Sequence, residues 1–281
     1  MDTLSTLAPS AVETPMFFEN GGYRLFGILH QPVGPPSGAG WVFCHPFAEE
    51  KLWAQRVYVS FARMLAAGGA WVLRFDMTGN GDSEGEFSAA SVETMLSDID
   101  CATRLLERSS GITQGIGLLG LRFGATLAAL AAERSPKIGR LVLWEPIVDG
   151  GKYMQELLRI NLTTQTAVYK EIRHNREALV QMMREGTTVN IDGYELAYPC
   201  YEQATAVNLK EERKRFAGPS LIVQVGKEGQ PLHSDLKALQ ETFPVAELQG
   251  VVEEPFWKEI KRWYRVAPNL FERTLAWIEK Q

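Results

Sequence analysis

The feature that most constrains the fold of this chain is a strand, a sharp turn and a helix start written into residues 115–133. An apolar run ends in Gly120-Leu121-Arg122-Phe123-Gly124, and a small, helix-favouring stretch follows. This is the G-x-S-x-G pattern of a nucleophile elbow, whose central residue is expected to be Ser, Cys or Asp. Here it is Arg122, whose guanidinium is permanently protonated and has no lone pair for attack. The sequence therefore predicts the scaffold of a covalent catalyst without its nucleophile.

Apolar strands and amphipathic helices alternate on both sides of this elbow. The predicted elements follow a hairpin around Asn20-Gly21-Gly22 and lie, in chain order, at 41–44, 53–67, 70–75, 91–108, 141–144, 220–225, 234–242, 245–248 and 269–280. Alternation of this kind predicts an α/β fold with a mostly parallel central sheet and helices on both faces.

Composition divides the chain into four segments. Residues 1–15, rich in Thr, Ser, Ala and Pro, predict a flexible N-terminal segment. Residues 16–149 and 217–281 carry the alternating pattern and predict the two parts of one core. Residues 150–216 are polar and helical in character, which predicts a helical cap over the carboxyl ends of the strands, where open α/β sheets bind ligands. A homodimer through this cap is a further expectation.

Several partner classes are disfavoured by composition. The net charge is −5 with no long basic run, so nucleic acid is not expected as a partner. No apolar stretch approaches the roughly 20 residues of a membrane span, and residues 1–14 lack the pattern of a secretory signal. The three cysteines are scattered and no residues have metal-ligand spacing, which predicts no metal, no cofactor and a cytoplasmic location.

Three motifs give the chain a family resemblance. Phe43-Cys44-His45-Pro46-Phe47 resembles a His-Gly loop, residues 76–85 resemble a D-x-x-G-x-G-x-S-x-G segment, and residues 120–124 resemble the elbow. Through them, residues 16–281 resemble the α/β-hydrolase superfamily, in its serine-aminopeptidase and monoacylglycerol-lipase branch. The resemblance implies the α/β-hydrolase fold, and it implies that the backbone amide of Phe47 is an oxyanion-hole donor.

A closer likeness is to the bacterial exosortase-A-system-associated hydrolases. It rests on residues 43–50, on the elbow with its arginine, and on Pro255-Phe256-Trp257. This likeness implies that Arg122 is a settled trait of the subgroup, and that the chain works beside exopolysaccharide and protein-sorting systems. Anionic saccharides and lipid-linked phosphates are then the expected ligands.

The rest of a catalytic triad is incomplete. The superfamily places an acid after the strand that follows the cap, where Glu228 is the candidate, and a histidine in the segment 250–257, which contains none. Triad residues act as a unit, so this predicts a retired catalyst that serves as an accessory or anionic-ligand-binding protein. The alternative is a divergent hydrolase or transferase acting on an ester or activated acyl group. Its acid–base would be Glu228, Glu253 or Glu254, with Arg122 as oxyanion stabiliser.

Two roles for Arg122 stay open at this point. In the first, Arg122 grips an anionic ligand together with the amides of Phe123 and Phe47, a helix N-terminus being suited to anions. In the second, Arg122 pairs with Glu145, joined by Glu49 or Glu228, and plugs the site, because a buried charge needs a partner.

The remaining polar candidates near the elbow are interpreted more plainly. His45 either faces the site or braces its own loop through a hydrogen bond. The pairs Glu49-Glu50 and Glu253-Glu254 are interpreted as solvated surface carboxylates.

Overall fold

The computed structural model describes residues 11–258 and 264–281. Its main sheet contains eight strands, which are β1 Ala11–Asn20, β2 Tyr23–Pro32, β3 Gly40–Cys44, β4 Trp71–Phe75, β5 Ile116–Leu121, β6 Ile138–Trp144, β9 Ser220–Gly226 and β10 Ala246–Val252. Their order in the sheet is β1-β2-β4-β3-β5-β6-β9-β10. The strands from β4 to β10 pair in parallel, whereas β1 and β2 pair antiparallel with each other and β2 antiparallel with β4.

Helices cover both faces of this sheet. They are α1 Glu49–Ala67, α2 Val92–Ser110, α3 Phe123–Arg134, α4 Gly150–Tyr169, α5 Arg176–Arg184, α6 Tyr198–Thr205, α7 Ser234–Thr242 and α8 Pro268–Ile278. The apolar sides of α1 and α8 pack with one face of the sheet, and those of α2, α3 and α7 pack with the other. The predicted α/β architecture is confirmed, and it is that of an α/β-hydrolase fold.

The N-terminal end of the sheet begins earlier than the sequence indicated. Strand β1 starts at Ala11, so residues 11–15 belong to the sheet and not to a flexible segment. Residues 1–10 of that predicted segment lie outside the described residues.

Residues 150–216 connect β6 to β9, two strands that are neighbours in the sheet. They contain α4, α5 and α6 and also a two-stranded hairpin of β7 Val189–Ile191 and β8 Tyr194–Leu196. The segment is therefore not wholly helical. It packs on the rest of the chain through α6 against α2, and through β8 against the turn at Phe87–Ala89.

Within the part of the chain that the structure describes, no helix is long and apolar enough to cross a bilayer.

Candidate functional site

The backbone of the elbow keeps its strained geometry around Arg122. Strand β5 ends at Leu121 and helix α3 begins at Phe123, so Arg122 alone makes the turn, with φ 55° and ψ −123°. A side-chain-bearing residue rarely adopts such a conformation, and it persists where neighbouring structure enforces it. The amide of Arg122 donates to the carbonyl of Trp144 at 3.0 Å, which holds the turn against β6.

The two glycines of the motif are required by close packing. A Cβ on Gly120 would overlap the carbonyl oxygen of Gly124, and a Cβ on Gly124 would overlap the carbonyl oxygens of Cys44 and His45. The glycines thus let α3 approach β5 and the end of β3, whatever residue lies between them.

The side chain of Arg122 forms an ion pair with Glu50. Its Nε donates to Oε1 of Glu50 at 2.9 Å, and Oε2 of the same carboxylate accepts from the hydroxyl of Tyr153 at 3.1 Å. The guanidinium lies 5.8 Å from the ring of Tyr153 and 5.7 Å from that of Trp257. Its side chain is 15% exposed and that of Glu50 is 19% exposed. This cluster joins the elbow, the first turn of α1 and the first turn of α4.

Burial and charge act in opposite directions on this ion pair. Burial raises the pKa of Glu50, and the guanidinium of Arg122 and the hydroxyl of Tyr153 oppose that shift. Burial alone would lower the pKa of Arg122, but the attraction of Glu50 raises it overall. The arginine therefore stays charged at any pH at which the fold survives.

For the alternative in which Arg122 pairs with an internal carboxylate, the expected partner Glu145 was wrong, because the ion pair is formed with Glu50. Glu145 instead accepts a hydrogen bond from the backbone amide of Val225 at 2.7 Å, and so joins the ends of β6 and β9. Burial raises the pKa of Glu145, while Val225 and then Arg122 oppose the rise. Glu228, proposed as a bridging acid, is exposed. The interpretation of Glu49-Glu50 as solvated surface carboxylates is also wrong for Glu50. Its pairing with Arg122 was not predicted from the sequence.

Two cavities meet at Arg122. The larger, about 460 Å³, lies at the carboxyl ends of β6, β9 and β10 and is called the polar cavity here. Its charged lining consists of the cations Arg122, Lys152, Lys227 and Lys258 and the carboxylates Glu145, Asp149, Glu156, Asp235 and Glu253. Both signs of charge are interspersed, so the polar cavity offers donors and acceptors rather than a purely cationic surface.

The second cavity, about 340 Å³, lies between α1, α4 and the β7–β8 hairpin. It is called the aromatic cavity, after Phe47, Trp53, Tyr153 and Trp257 in its lining. Both cavities are lined by Arg122, Tyr153, Glu156, Trp257 and Lys258. The Arg122–Glu50–Tyr153 cluster therefore forms part of the wall between them.

The predicted ligand-binding residues divide between these places. The ring of Phe123 stacks on that of Tyr153 at 5.5 Å, and Phe47 meets Phe123 edge-on at 5.9 Å. Phe123 is the first residue of α3, so its amide has no acceptor within that helix. Phe47 lines the aromatic cavity, and Glu145 lines the polar cavity.

His45 lines neither of the two cavities that meet at Arg122. It is 5% exposed, and its ring stacks on Tyr58 at 4.6 Å. It lines a separate space of about 20 Å³ with Lys51 and Met77. Burial lowers its pKa well below the usual value, so the ring is neutral, and its Nδ1 makes no hydrogen bond to the described residues. The predicted hydrogen bond that would brace its loop is therefore not made by Nδ1.

The candidate acid–base carboxylates are only partly brought together. Glu228 and Glu254 are exposed and line neither cavity. Glu253 does line the polar cavity, and burial raises its pKa. Its Oε2 accepts from the amide of Asn269 at 3.1 Å, which caps the start of α8.

His233 is a second lining residue that the sequence analysis did not single out. It precedes α7, lines the polar cavity, and its Nε2 lies 2.8 Å from Nε2 of Gln230. It follows β9 and not β10, so it does not occupy the position expected of a triad histidine. Its place directly before a predicted helix, in the loop after a core strand, was the available signal. No group of three metal-ligating side chains is present among residues 11–258 and 264–281.

The comparison with protein families decides the family. Residues 39–195, more than half of the chain, match the model of the family described as serine aminopeptidase, S33. The chain belongs to the serine aminopeptidase S33 family. The matched region of this S33 member contains the elbow, the segment 76–85 and the first part of the 150–216 segment. No curated protein matches its sequence at a significant level.

Solved structures share the fold of this S33 chain at low sequence identity. Est1E from Butyrivibrio proteoclasticus, with ferulic acid bound, is 18% identical, covers 95% of this chain and 98% of its own, and has a TM-score of 0.65. A hypothetical protein from Pseudomonas aeruginosa is 16% identical over 98% of this chain and 95% of its own, with a TM-score of 0.67. The α/β-hydrolase domain-containing protein 10 from mouse is 15% identical over 95% and 99%, with a TM-score of 0.57.

Proposed function

We propose that this chain is a non-hydrolytic S33 family member that binds an anionic saccharide at its elbow and acts as an accessory protein. The observation that carries the proposal is the ion-paired Arg122 at the elbow position. The strained backbone of a catalytic turn is kept there, and a group that binds anions replaces the group that attacks carbonyls.

The site lacks two groups that acyl transfer by a catalytic triad requires, namely the nucleophile and the histidine base at its expected position. Arg122 has no lone pair, and His233, the histidine of the polar cavity, follows a different strand from the one that precedes a triad histidine. A retired elbow is thus the simplest account of these residues.

The lining of the polar cavity favours a hydroxylated anion. Arg122 donates to Glu50 through its Nε. The two NH2 groups of the guanidinium are further donors for a ligand carboxylate or phosphate. Nearby carboxylates such as Glu145 and Glu156 accept hydrogen bonds from hydroxyl groups, and the ring of Trp257 offers an apolar face. A volume of about 460 Å³ falls in the range of small-ligand sites.

The biological setting is proposed from the motifs. The likeness of residues 43–50, 120–124 and 255–257 to exosortase-associated proteins supports a role beside exopolysaccharide systems. The three cysteines are free and buried, which favours a reducing cytoplasm. Residues 150–216 act in this proposal as a cap over the polar cavity, to which they contribute Lys152, Tyr153 and Glu156. A homodimer through this cap stays a prediction.

Two measurements test the proposal. The first is reaction with a fluorophosphonate probe and a panel of activated acyl esters, with Arg122→Ala as control. We expect no labelling and no turnover above the control, since among the described residues the elbow holds an arginine and the cavity histidine follows β9 and not β10. Labelling of any residue would contradict the retired elbow.

The second measurement is the melting temperature with glucuronate or glucose 1-phosphate, compared with neutral glucose. We expect a rise with the two anions only, lost in Arg122→Gln and kept in Arg134→Gln, whose arginine pairs with Glu93 at the surface. Equal behaviour of the two variants would show that Arg122 does not hold the anion.

A divergent enzyme is the second candidate, favoured by the raised pKa of Glu253 in the polar cavity. It predicts turnover on the ester panel that is lost in Glu253→Gln. Glu254→Gln is the control, because Glu254 is exposed and lines neither cavity. Turnover that is lost in Glu253→Gln and kept in Glu254→Gln would assign the acid–base role to Glu253.

A further inference from the structure

We infer that the ligand of this chain is amphiphilic, with its anionic group at Arg122 between a hydroxylated part in the polar cavity and an apolar chain in the aromatic cavity. The inference rests on the proposed function for the anion and goes beyond it in assigning the aromatic cavity. The chemical class is a phosphate monoester or diester that carries an alkyl, acyl or prenyl substituent.

The aromatic cavity has an apolar lining from several elements. Leu157 and Ile160 of α4 lie in its wall, with Ile191 of β7 and Phe47 of the loop before α1. Leu157, Ile191 and Phe47 are themselves buried, so part of the cavity wall consists of apolar side chains that are shielded from water. An apolar substituent against these side chains would be removed from water, which is favourable in proportion to the apolar area that is buried.

Charge disfavours a second anion in the aromatic cavity. Its lining carries four carboxylates and two cations, namely Glu49, Glu50, Glu156, Asp192, Arg122 and Lys258. One of those cations, Arg122, is already paired with Glu50. An uncharged substituent avoids repulsion there, whereas a free dianion or a second phosphate would meet it.

The two cavities share the group that would hold the anion. Arg122 and Lys258 line both cavities. Tyr153 and Trp257 also line both of them. A phosphate at Arg122 therefore has a hydroxyl-binding space on one side and an apolar space on the other. A ligand with one anionic group between two unlike parts matches this sequence of surfaces.

The test measures the dissociation constants of inorganic phosphate and of butyl, hexyl and octyl phosphate by calorimetry, below their micellar concentrations. We expect the constant to fall about three- to four-fold per added methylene until the cavity is filled. Ile160→Trp, which narrows the aromatic cavity, should reduce this increment by more than it changes the affinity for inorganic phosphate. Thr164→Trp, on an exposed position of the same helix, should behave as the parent protein. Circular dichroism checks that both variants fold.

The outcomes separate this inference from the proposed function. Phosphate binding that depends on Arg122 but not on chain length would overturn the amphiphilic ligand and leave the proposed function intact. A second contrary result is equal affinity for octyl phosphate and octyl glucoside, unchanged by Arg122→Gln. It would overturn both the anchoring anion and the proposed function. An increment that Ile160→Trp does not reduce would place the chain outside the aromatic cavity and overturn the inference.

Discussion

Arg122 and Glu50 form an ion pair 2.9 Å long although 72 residues separate them in the chain. The pair links the turn between β5 and α3 to the first turn of α1, and the hydroxyl of Tyr153 adds α4 to the same carboxylate. Three separate parts of the fold therefore depend on one charged contact. Such a contact has measurable consequences for stability as well as for binding.

Removal of the carboxylate should destabilise the protein. In Glu50→Ala the guanidinium of Arg122 loses its partner while it remains largely buried. We expect the free energy of unfolding to fall by about 2–4 kcal/mol, a little below the loss typical of a fully buried pair. Urea denaturation measures it. Glu93→Ala, which breaks the exposed pair with Arg134, should cost under about 1 kcal/mol. Equal losses in the two variants would mean that the buried pair carries no special stability.

Restoration of serine at the elbow should not restore catalysis. Arg122→Ser supplies the missing hydroxyl, but the histidine of the polar cavity, His233, follows β9 and not β10, and triad members act as a unit. We expect ester hydrolysis to stay within about ten-fold of Arg122→Ala, with no rapid fluorophosphonate labelling. Efficient labelling of the serine would contradict this prediction and would point to His233, which lines the same cavity, as the base.

The protein should lose stability in mild acid because of His30. Its side chain is fully buried in β2, Arg74 donates to its Nε2 at 3.0 Å, and Glu13 lies 3.6 Å from its Nδ1. Burial, then the charge of Arg74, lowers the pKa of His30 to about 4, while Glu13 opposes the shift and Arg63 adds to it. Between pH 6.5 and about 4, His30 is protonated in the unfolded chain and neutral in the folded chain. The free energy of unfolding therefore falls as pH falls through this window.

The size of that loss can be measured directly. The shift corresponds to about 3 kcal/mol as an upper bound, and denaturation curves at pH 7 and pH 4.5 would show most of it. In His30→Gln the difference between the two pH values should shrink by about that amount. An undiminished difference would assign the acid sensitivity to other groups.

Substitution of the second elbow glycine should be among the most damaging changes in the chain. A Cβ in Gly124→Ala would meet the carbonyl oxygens of Cys44 and His45, which are backbone atoms that cannot turn aside. We expect a loss of about 3 kcal/mol or more, or no folded protein. Gly34→Ala is the control, since open space surrounds that position and its φ is ordinary. Thermal unfolding compares them, and similar melting temperatures would mean that β3 and α3 can move apart.

Periodicity predicted most of the sheet and its helices, because each core strand is a short apolar run and each helix has one apolar face. The β7–β8 hairpin was missed since its strands have three residues each and lie in a polar stretch. Asp192-Gly193, with positive φ at both residues, is the turn between them and was a readable signal.

The candidate site was predictable where it is local and not where it is assembled from distant parts. Arg122 could be identified because the elbow is a continuous motif. Glu50 could not, because its role depends on where α1 begins. The sequence favoured a start at Trp53, whereas the helix begins at Glu49, after Ala48 turns the chain with φ 51°. A shift of one turn converts a solvated glutamate into the partner of the arginine.

The ion pair at the elbow also bears on how such a site could change over evolutionary time. A single substitution that returned serine to position 122 would leave the carboxylate of Glu50 without its cation, in surroundings that already raise its pKa. That intermediate would be less stable than either the present pair or an ancestor that had neither charge. A serine at position 122 would therefore need a compensating substitution at position 50, so folding stability itself disfavours this change as a single step.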